Sequence, residues 1–247
     1  MGLKALVITP TTGSPELVDA IDSVINQTYK DVNHLIVVDG ADYSFRTDVT
    51  LRDGGIVVGD KIKRTDLPFN TGGNGFYGHR IMAAFSHLVN HDVVLFLDQD
   101  NWFEPDHVET MIKEIKQFNL DWTYSLRKIF NKDKTYICDD NCESLGRWPV
   151  WVNDQAYLID SSSYCFKTEF IRKIGHLWDH GWGADRRFYT IVKDQLKHQN
   201  YTCTGKHTLN YRLGGNEGSV QSEFFEEGNK KTLEKYNNKL PWLNQFS

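Results

Sequence analysis

The chain has no apolar run approaching the roughly 20 residues that a membrane-spanning helix needs. It also lacks a charged-then-apolar leader, since Lys4 precedes only a short apolar run that a strand explains. A cytoplasmic protein with no transmembrane segment is the expectation. Cysteine is scarce. Cys138, Cys142, Cys165 and Cys203 are too few and too scattered for a disulfide scaffold, and the Cys138-Asp-Asp-Asn-Cys142 spacing has no second pair to complete a zinc site. Positive charge is not in excess either: 28 Lys and Arg face 33 Asp and Glu, for a net charge of -5. That balance argues against a protein that coats nucleic acid by electrostatics, while leaving a modified nucleic acid open as an acceptor.

What is present describes one large globular core. At 247 residues, with 40% hydrophobic and 25% charged residues, the chain is near the upper size of a single domain. Aromatic residues make up 13%, seven of them Trp, a share that suits a surface stacking on rings such as sugars.

The stretch Val93-Val-Leu-Phe-Leu-Asp98-Gln-Asp100 organises the rest. Five apolar residues followed by two acids read as a strand buried on both faces whose carboxyl end opens into a crevice. In extended chain Asp98 and Asp100 point to one side and Gln99 to the other. Two hard oxygen donors on one side suit Mg²⁺ or Mn²⁺ shared with substrate phosphates; a strand end running into an acidic loop explains the same residues.

Upstream, residues 4 to 9 form a strand expected to stop at Pro10, followed by a Thr11-Thr12-Gly13 turn. A helix capped by Ser14 carries Leu17, Ala20, Ile21, Val24 and Ile25 on one face, and His34 to Val38 is a second buried strand ending at Asp39-Gly40. Strand, helix, strand at this length is a crossover unit with parallel strands, which binds ligands at its carboxyl edge. Thr9, Thr11, Asp39 and Asp98 are all expected at that edge, pointing to a nucleotide or sugar-phosphate site. A short strand is predicted around Ile56-Val57-Val58. The glycine-rich Asn70-Thr-Gly-Gly-Asn-Gly-Phe-Tyr-Gly-His-Arg80 then runs into a helix whose start suits a phosphate or ribose, with His79 and Arg80 as contacts or as a surface cationic pair. It matches neither a P-loop nor a dinucleotide fingerprint.

Beyond Asp100, Pro105 opens another helix. Trp148 and Trp151 form either an aromatic wall for an acceptor or ordinary packing, and residues around Ser161-Ser162-Ser163 read as strand. In His176-Leu-Trp-Asp-His-Gly-Trp182-Gly-Ala-Asp185, Asp185 falls at a helix start, where an anionic carboxylate is favoured either as general base or as simple cap. His207 on a strand is structural or a metal ligand, residues 214 to 220 are a flexible turn-rich segment, and residues 221 to 247 form a peripheral helix with a loosely held end.

Taken together, Ala5-Leu-Val-Ile-Thr-Pro-Thr11, Ser23-Val-Ile-Asn-Gln-Thr-Tyr29, Ile36-Val-Val-Asp-Gly40, Leu97-Asp-Gln-Asp100 and the helix opening at Asp185 resemble the family 2 glycosyltransferases over roughly residues 3 to 220. The resemblance implies an α/β fold: a single GT-A, Rossmann-like domain with a mostly parallel sheet flanked by helices. Residues 1 to 117 would be the nucleotide-sugar half and residues 118 to 220 the acceptor and catalytic half. It implies a nucleoside diphosphate sugar donor, UDP-sugar favoured, lying on Thr9, Pro10, Thr11, Asp39, Asn70, Gly73, His79, Arg80 and Asp98. It further implies Mn²⁺ or Mg²⁺ on Asp98 and Asp100 with His207 as a third ligand, Asp185 as base of an inverting transfer, and an acceptor hydroxyl on a carbohydrate or lipid-linked glycan beside Trp151 and Trp182. Departures from the family pattern are Gly40 after Asp39 in place of a second acid, Ala184 before Asp185 in place of Glu, and the extra glycines between Asn70 and Arg80. The rivals are a non-catalytic nucleotide-sugar binding protein on the same fold, and a nucleotidyltransferase, which usually carries a lysine-bearing glycine loop after its first strand that Thr9 to Gly13 lacks.

Overall fold

The structure, a computed structural model, describes residues 2–214 and 220–243. Strands β1 (Ala5–Thr11), β2 (Val32–Val38), β3 (Ile62–Asp66) and β4 (Val93–Phe96) pair in parallel in the order β3-β2-β1-β4. β8 (Tyr164–Lys167) joins β4 antiparallel, and the sheet continues through β6 (Trp122–Phe130), β9 (Tyr201–Arg212) and the two-residue β5 (Trp102–Phe103), with β7 (Tyr136–Asp139) on β6. The fold is single-domain α/β, its parallel strands forming the amino-terminal half. β1 and β4 are apolar on both faces because both are covered. Leu6, Ile8, Val94 and Phe96 enter one core, while Ala5, Val7, Val93 and Leu95 enter another built on helix α4 (His107–Phe118).

The link from β4 to β5 shapes the site. Four strand spacings separate them in the sheet, about 19 Å at the usual interval, yet only five residues lie between Phe96 and Trp102. Fully extended, the steps from Phe96 to Trp102 span about 20 Å, and here the chain turns, with Asn101 N bonded to the Asp98 carbonyl. The sheet must therefore curl around Asp98 to Asn101. Asp98 and Asp100 sit in a turn, not in the extended chain that the apolar run predicts.

Several boundaries differ from the sequence reading. Pro10 lies inside β1: its missing N–H faces the β4 side, where pairing already ends at Ile8, so no ladder bond is lost. Helix α1 (Leu17–Ile25) starts after a turn at Pro15 and Glu16, and the Ser14 hydroxyl bonds the Glu16 carboxylate instead of capping. Ile56 to Val58 is not a strand. Val57 is 80% exposed, and the buried anchor of the third strand is Ile62, preceded by helix α2 (Ser44–Asp53). Ser161–Ser163 form a 3₁₀ turn because the Asp160 side chain caps the Ser162 N–H. Helices α3 (His79–Phe85), α5 (Thr168–Ile174), α6 (Ala184–Thr190) and α7 (Ser222–Lys235) complete the fold. The last of these is well packed: Phe225 and the following Trp242 are fully buried, and Trp242 Nε1 donates to Asn141 Oδ1 at 2.8 Å. The turn-rich segment expected from Gly214 to Val220 falls mainly on residues 215–219, outside the described residues, as does the end of the chain at 244–247. No helix among the described residues is long and apolar enough to cross a membrane.

His34 on β2 is buried, with Nε2 2.8 Å from the Thr9 hydroxyl, and burial pushes its pKa down from 6.5 to about 3. The folded state therefore holds it neutral while the unfolded chain takes up a proton below pH 6.5. Its stabilising contribution is complete above that pH and declines as the solution is acidified toward 3. The expected loss at pH 5 is about 2 kcal/mol. Urea unfolding of the protein and of His34→Gln, which does not titrate, should show the stability gap narrowing by about that amount between pH 7.5 and pH 5; an unchanged gap refutes a neutral buried ring.

Candidate active site

The carboxyl edge of the parallel strands opens into a cavity of about 1050 Å³. Its lining includes Pro10, Thr11, Asp39, Asn70, Gly73 and His79, an acidic floor of Asp98 and Asp100, and from the second half of the chain Trp182 and Asp185. Residues scattered over the sequence thus meet in one hollow because β1, β2 and β4 end together.

The donor-side wall is built by Asp39. Its Oδ1 accepts from Thr71 N and Thr71 Oγ1, both at 2.7 Å, and its Oδ2 accepts from Gly72 N at 2.8 Å and Asn70 Nδ2 at 3.0 Å. With both oxygens engaged, Asp39 moulds the glycine-rich loop while lining the cavity. Gly72 is required there, since a Cβ would sit 2.2 Å from the Tyr77 carbonyl oxygen and 2.7 Å from Asp39 Oδ2. Tyr77, at φ 50°, is held in the left-handed region and presents its ring to the cavity.

The floor is acidic and tightly braced. Gln99 does not turn away: its Oε1 accepts from Thr11 Oγ1 at 2.7 Å and from Thr12 N at 3.1 Å, tying the turn to the end of β1. Arg212 clamps the same turn, donating from Nε to the Asp100 carbonyl at 2.9 Å and from its backbone N to Asn101 Oδ1 at 3.0 Å. Ser161 Oγ donates to Asp98 Oδ2 at 3.1 Å, and Asp98 N donates to Ser162 Oγ at 3.0 Å. Beneath lies Arg127, buried in mid-strand, which pairs with Asp140 at 2.7 Å, Asp160 at 2.8 Å and Glu143. Burial, then the nearby Asp160 and Asp100 carboxylates, pushes Asp98 up to about 8. Burial followed by Asp160 pushes Asp100 and Asp185 each up to about 6. Asp185 enters on the first turn of α6, which is fixed in the core by Phe188 stacked on Trp178 at 4.1 Å and by Tyr189 bonded to Tyr201 at 2.9 Å.

This floor gathers more carboxyl groups than Arg127 and Arg212 pair with, and its donors are hard oxygens. Among the described residues no group of three or more His, Cys, Asp or Glu is arranged to hold a metal ion. Asp98 and Asp100 nonetheless fit a Mg²⁺-type ion, which is commonly held by one or two carboxylates with the remaining positions filled by water and substrate phosphates.

Four residues expected at the site lie elsewhere. Thr9 faces away, its hydroxyl spent on His34. Arg80 lies outside the cavity lining, paired with Asp179 at 3.0 Å and stacked over Phe76. His207 is five residues up β9 from Arg212, a displacement of about 16 Å along a strand, and its Nδ1 faces Asp139 at 3.8 Å. Trp151 packs on Phe224 and against Gly228 of α7, so the aromatic wall at that position is packing. Missed in the sequence were Gln99, Arg127, Glu143, Asp160 and Arg212. Arg127, a charge inside the strand Tyr124-Ser-Leu-Arg-Lys-Ile-Phe130, was the one legible sign, because such a residue demands buried partners.

Nearly the whole chain matches solved structures of S. aureus TarS. Residues 1-349 of TarS in complex with UDP align with TM-score 0.60 and 16% identity, covering 99% of this chain and 70% of that one. The complex with UDP-GlcNAc gives the same score and identity, covering 71% of that chain. Full TarS aligns with TM-score 0.58 and 15% identity, this chain spanning 40% of its length. At such identity the likeness speaks for the fold. No curated protein matches the sequence. The sequence model described as glycosyl transferase family 2 matches residues 6–137, more than half of the chain. The protein therefore belongs to glycosyl transferase family 2 and is a glycosyltransferase.

Proposed function

We propose that the protein moves a sugar from a nucleoside diphosphate sugar, a UDP-sugar favoured, to an acceptor hydroxyl with inversion, using Mn²⁺ or Mg²⁺ held at Asp98 and Asp100. The observation that carries this reading is the meeting of Asp98, Asp100 and Asp185 with the ends of β1 and β2 in one cavity. The solved TarS complexes with UDP and UDP-GlcNAc support the choice of nucleotide. In this reading the nucleoside lies along Pro10, Thr11 and the loop moulded by Asp39, with Asn70, Gly73 and His79 around it, and the diphosphate lies over the floor. A divalent ion bound there offsets charge growing on the departing diphosphate. Asp185, in the lining of the same cavity, takes the proton from the acceptor hydroxyl as that oxygen attacks from the face remote from the leaving group. A carboxyl lifted to about 6 is still ionised at neutral pH and is a stronger base than an exposed one. Trp182 offers a stacking face to the acceptor ring.

Asp185→Asn should lower turnover by about 10² to 10⁴ and leave the calorimetric affinity for UDP with Mn²⁺ nearly unchanged, whereas Asp100→Ala should lose both. Normal turnover in Asp185→Asn would refute the assigned base. In the unaltered enzyme kcat/KM should rise with pH through about 6 and level off above it, as the base loses its proton. Gly72→Ala, whose new methyl meets backbone, should weaken UDP by at least about tenfold in the same titration; wild-type affinity would mean that the loop does not touch the nucleotide.

A further inference from the structure

Arg212 stands beside the acidic floor and yet bonds none of its carboxylates. Its side chain is buried and every arm has a partner. Nε donates to the Asp100 carbonyl and Nη1 to the Lys132 carbonyl, both at 2.9 Å, while Nη2 reaches the Asp19 carboxylate on α1. The guanidinium carbon also lies 5.0 Å from the centroid of the Trp102 ring. Arg212 therefore braces the turn from Asp98 to Asn101 through a main-chain oxygen. The Asp100 carboxylate makes no ion pair among the described residues, although burial raises it and the charge of Arg212 is among the influences that pull it back.

This division of partners needs a cause. A buried guanidinium takes a carboxylate when one is in reach, because charge-assisted bonds are the stronger ones and an unpaired buried charge is costly. Asp19 meets that demand from outside the cavity. It belongs to α1 and lines a separate hollow beside Trp102, not the cavity that holds Asp98 and Asp100. Without it, the guanidinium would turn to the carboxylates that already stand in its field. These are Glu16, which is engaged by the Ser14 hydroxyl, and Asp100, whose carbonyl Arg212 already holds. An ion pair with Asp100 would occupy oxygens that a divalent ion needs. Resting on the metal-dependent reading above, we infer that Asp19 is a positioning residue for the metal site: by holding Arg212 on α1, it lets this cation brace the turn without closing on the Asp100 carboxylate.

The test titrates Mn²⁺ by calorimetry into protein saturated with UDP, and UDP into metal-free protein. In Asp19→Ala the Mn²⁺ affinity should fall by about 10- to 100-fold, the range typical when a residue that orients a metal ligand is lost, while metal-free UDP affinity stays within about twofold of wild type. Lys134→Met removes the other partner of Asp19 and spares Arg212, so both affinities should stay within about twofold. Asp19→Ala/Arg212→Met should bind Mn²⁺ more tightly than Asp19→Ala, because the competing cation is gone; a merely structural role of the pair gives the reverse order. Wild-type Mn²⁺ affinity in Asp19→Ala overturns the inference, as does an equal loss in Lys134→Met or a double variant no better than the single one. Should the double variant fail to fold, the two single variants still decide. If wild-type protein binds UDP and takes up no Mn²⁺, the metal reading has failed, and the inference with it.

Discussion

One buried guanidinium ties together the part of the sheet around β6. Arg127 rises from the middle of β6 and binds Asp140, Glu143 and Asp160, which belong to the loop after β7 and the turn before β8. Breaking a buried pair of this kind typically costs about 3 to 5 kcal/mol, because a carboxylate is left without its counter-charge. The arrangement does more than stabilise. Asp160, fixed by Arg127, caps the turn that delivers Ser161 and Ser162 to Asp98, so the conformation of Asp98 is referred back through Ser161, Ser162 and Asp160 to the strand interior.

The amino-terminal half is held in another way. There Asp39 gathers four hydrogen bonds from the loop 70–72 and Gln99 gathers the turn after β1. The loop tolerates positive φ at Asn74, Gly75 and Tyr77 because these bonds over-determine its path. The two halves meet where His79 Nδ1 lies 2.9 Å from the His180 carbonyl and Arg80 pairs with Asp179, so the loop on the nucleotide side touches the segment leading to Asp185.

What the sequence made legible follows from which signals are local. The apolar runs of β1, β2 and β4 and the amphipathic face of α1 are written in consecutive residues, and each was found to within a few positions. So was the gathering of Thr11, Asp39 and Asp98 at one edge, because parallel strands of one unit end together, while Thr9, expected with them, turns to His34. His207 was misplaced because β9 runs twelve residues, and alternation does not tell which of them stands at the end facing Asp100; Arg212 does. Val57 and Val58 mimic a strand by composition alone, while the true third strand, Ile-Lys-Arg-Thr-Asp, is an edge with one buried anchor. Trp151 is an indole that the sequence leaves equally suited to a wall or to packing, and only Gly228, 77 residues later, decides it. Glu143 and Asp160 enter the site through Arg127, a three-body arrangement with no signature in any short window.

The last helix has a consequence for biosynthesis. Phe225 packs 5.5 Å from the Arg127 guanidinium, and Trp242 ties off Asn141 next to Asp140, so the acid cluster is closed from behind by residues far along the chain from β6. As a chain is synthesised, the parallel strands β1 to β4 can assemble before residues 222–243 have appeared, but the Arg127 cluster then lacks its backing. Closure of the acidic floor thus follows assembly of the parallel strands and waits for this segment to leave the exit tunnel.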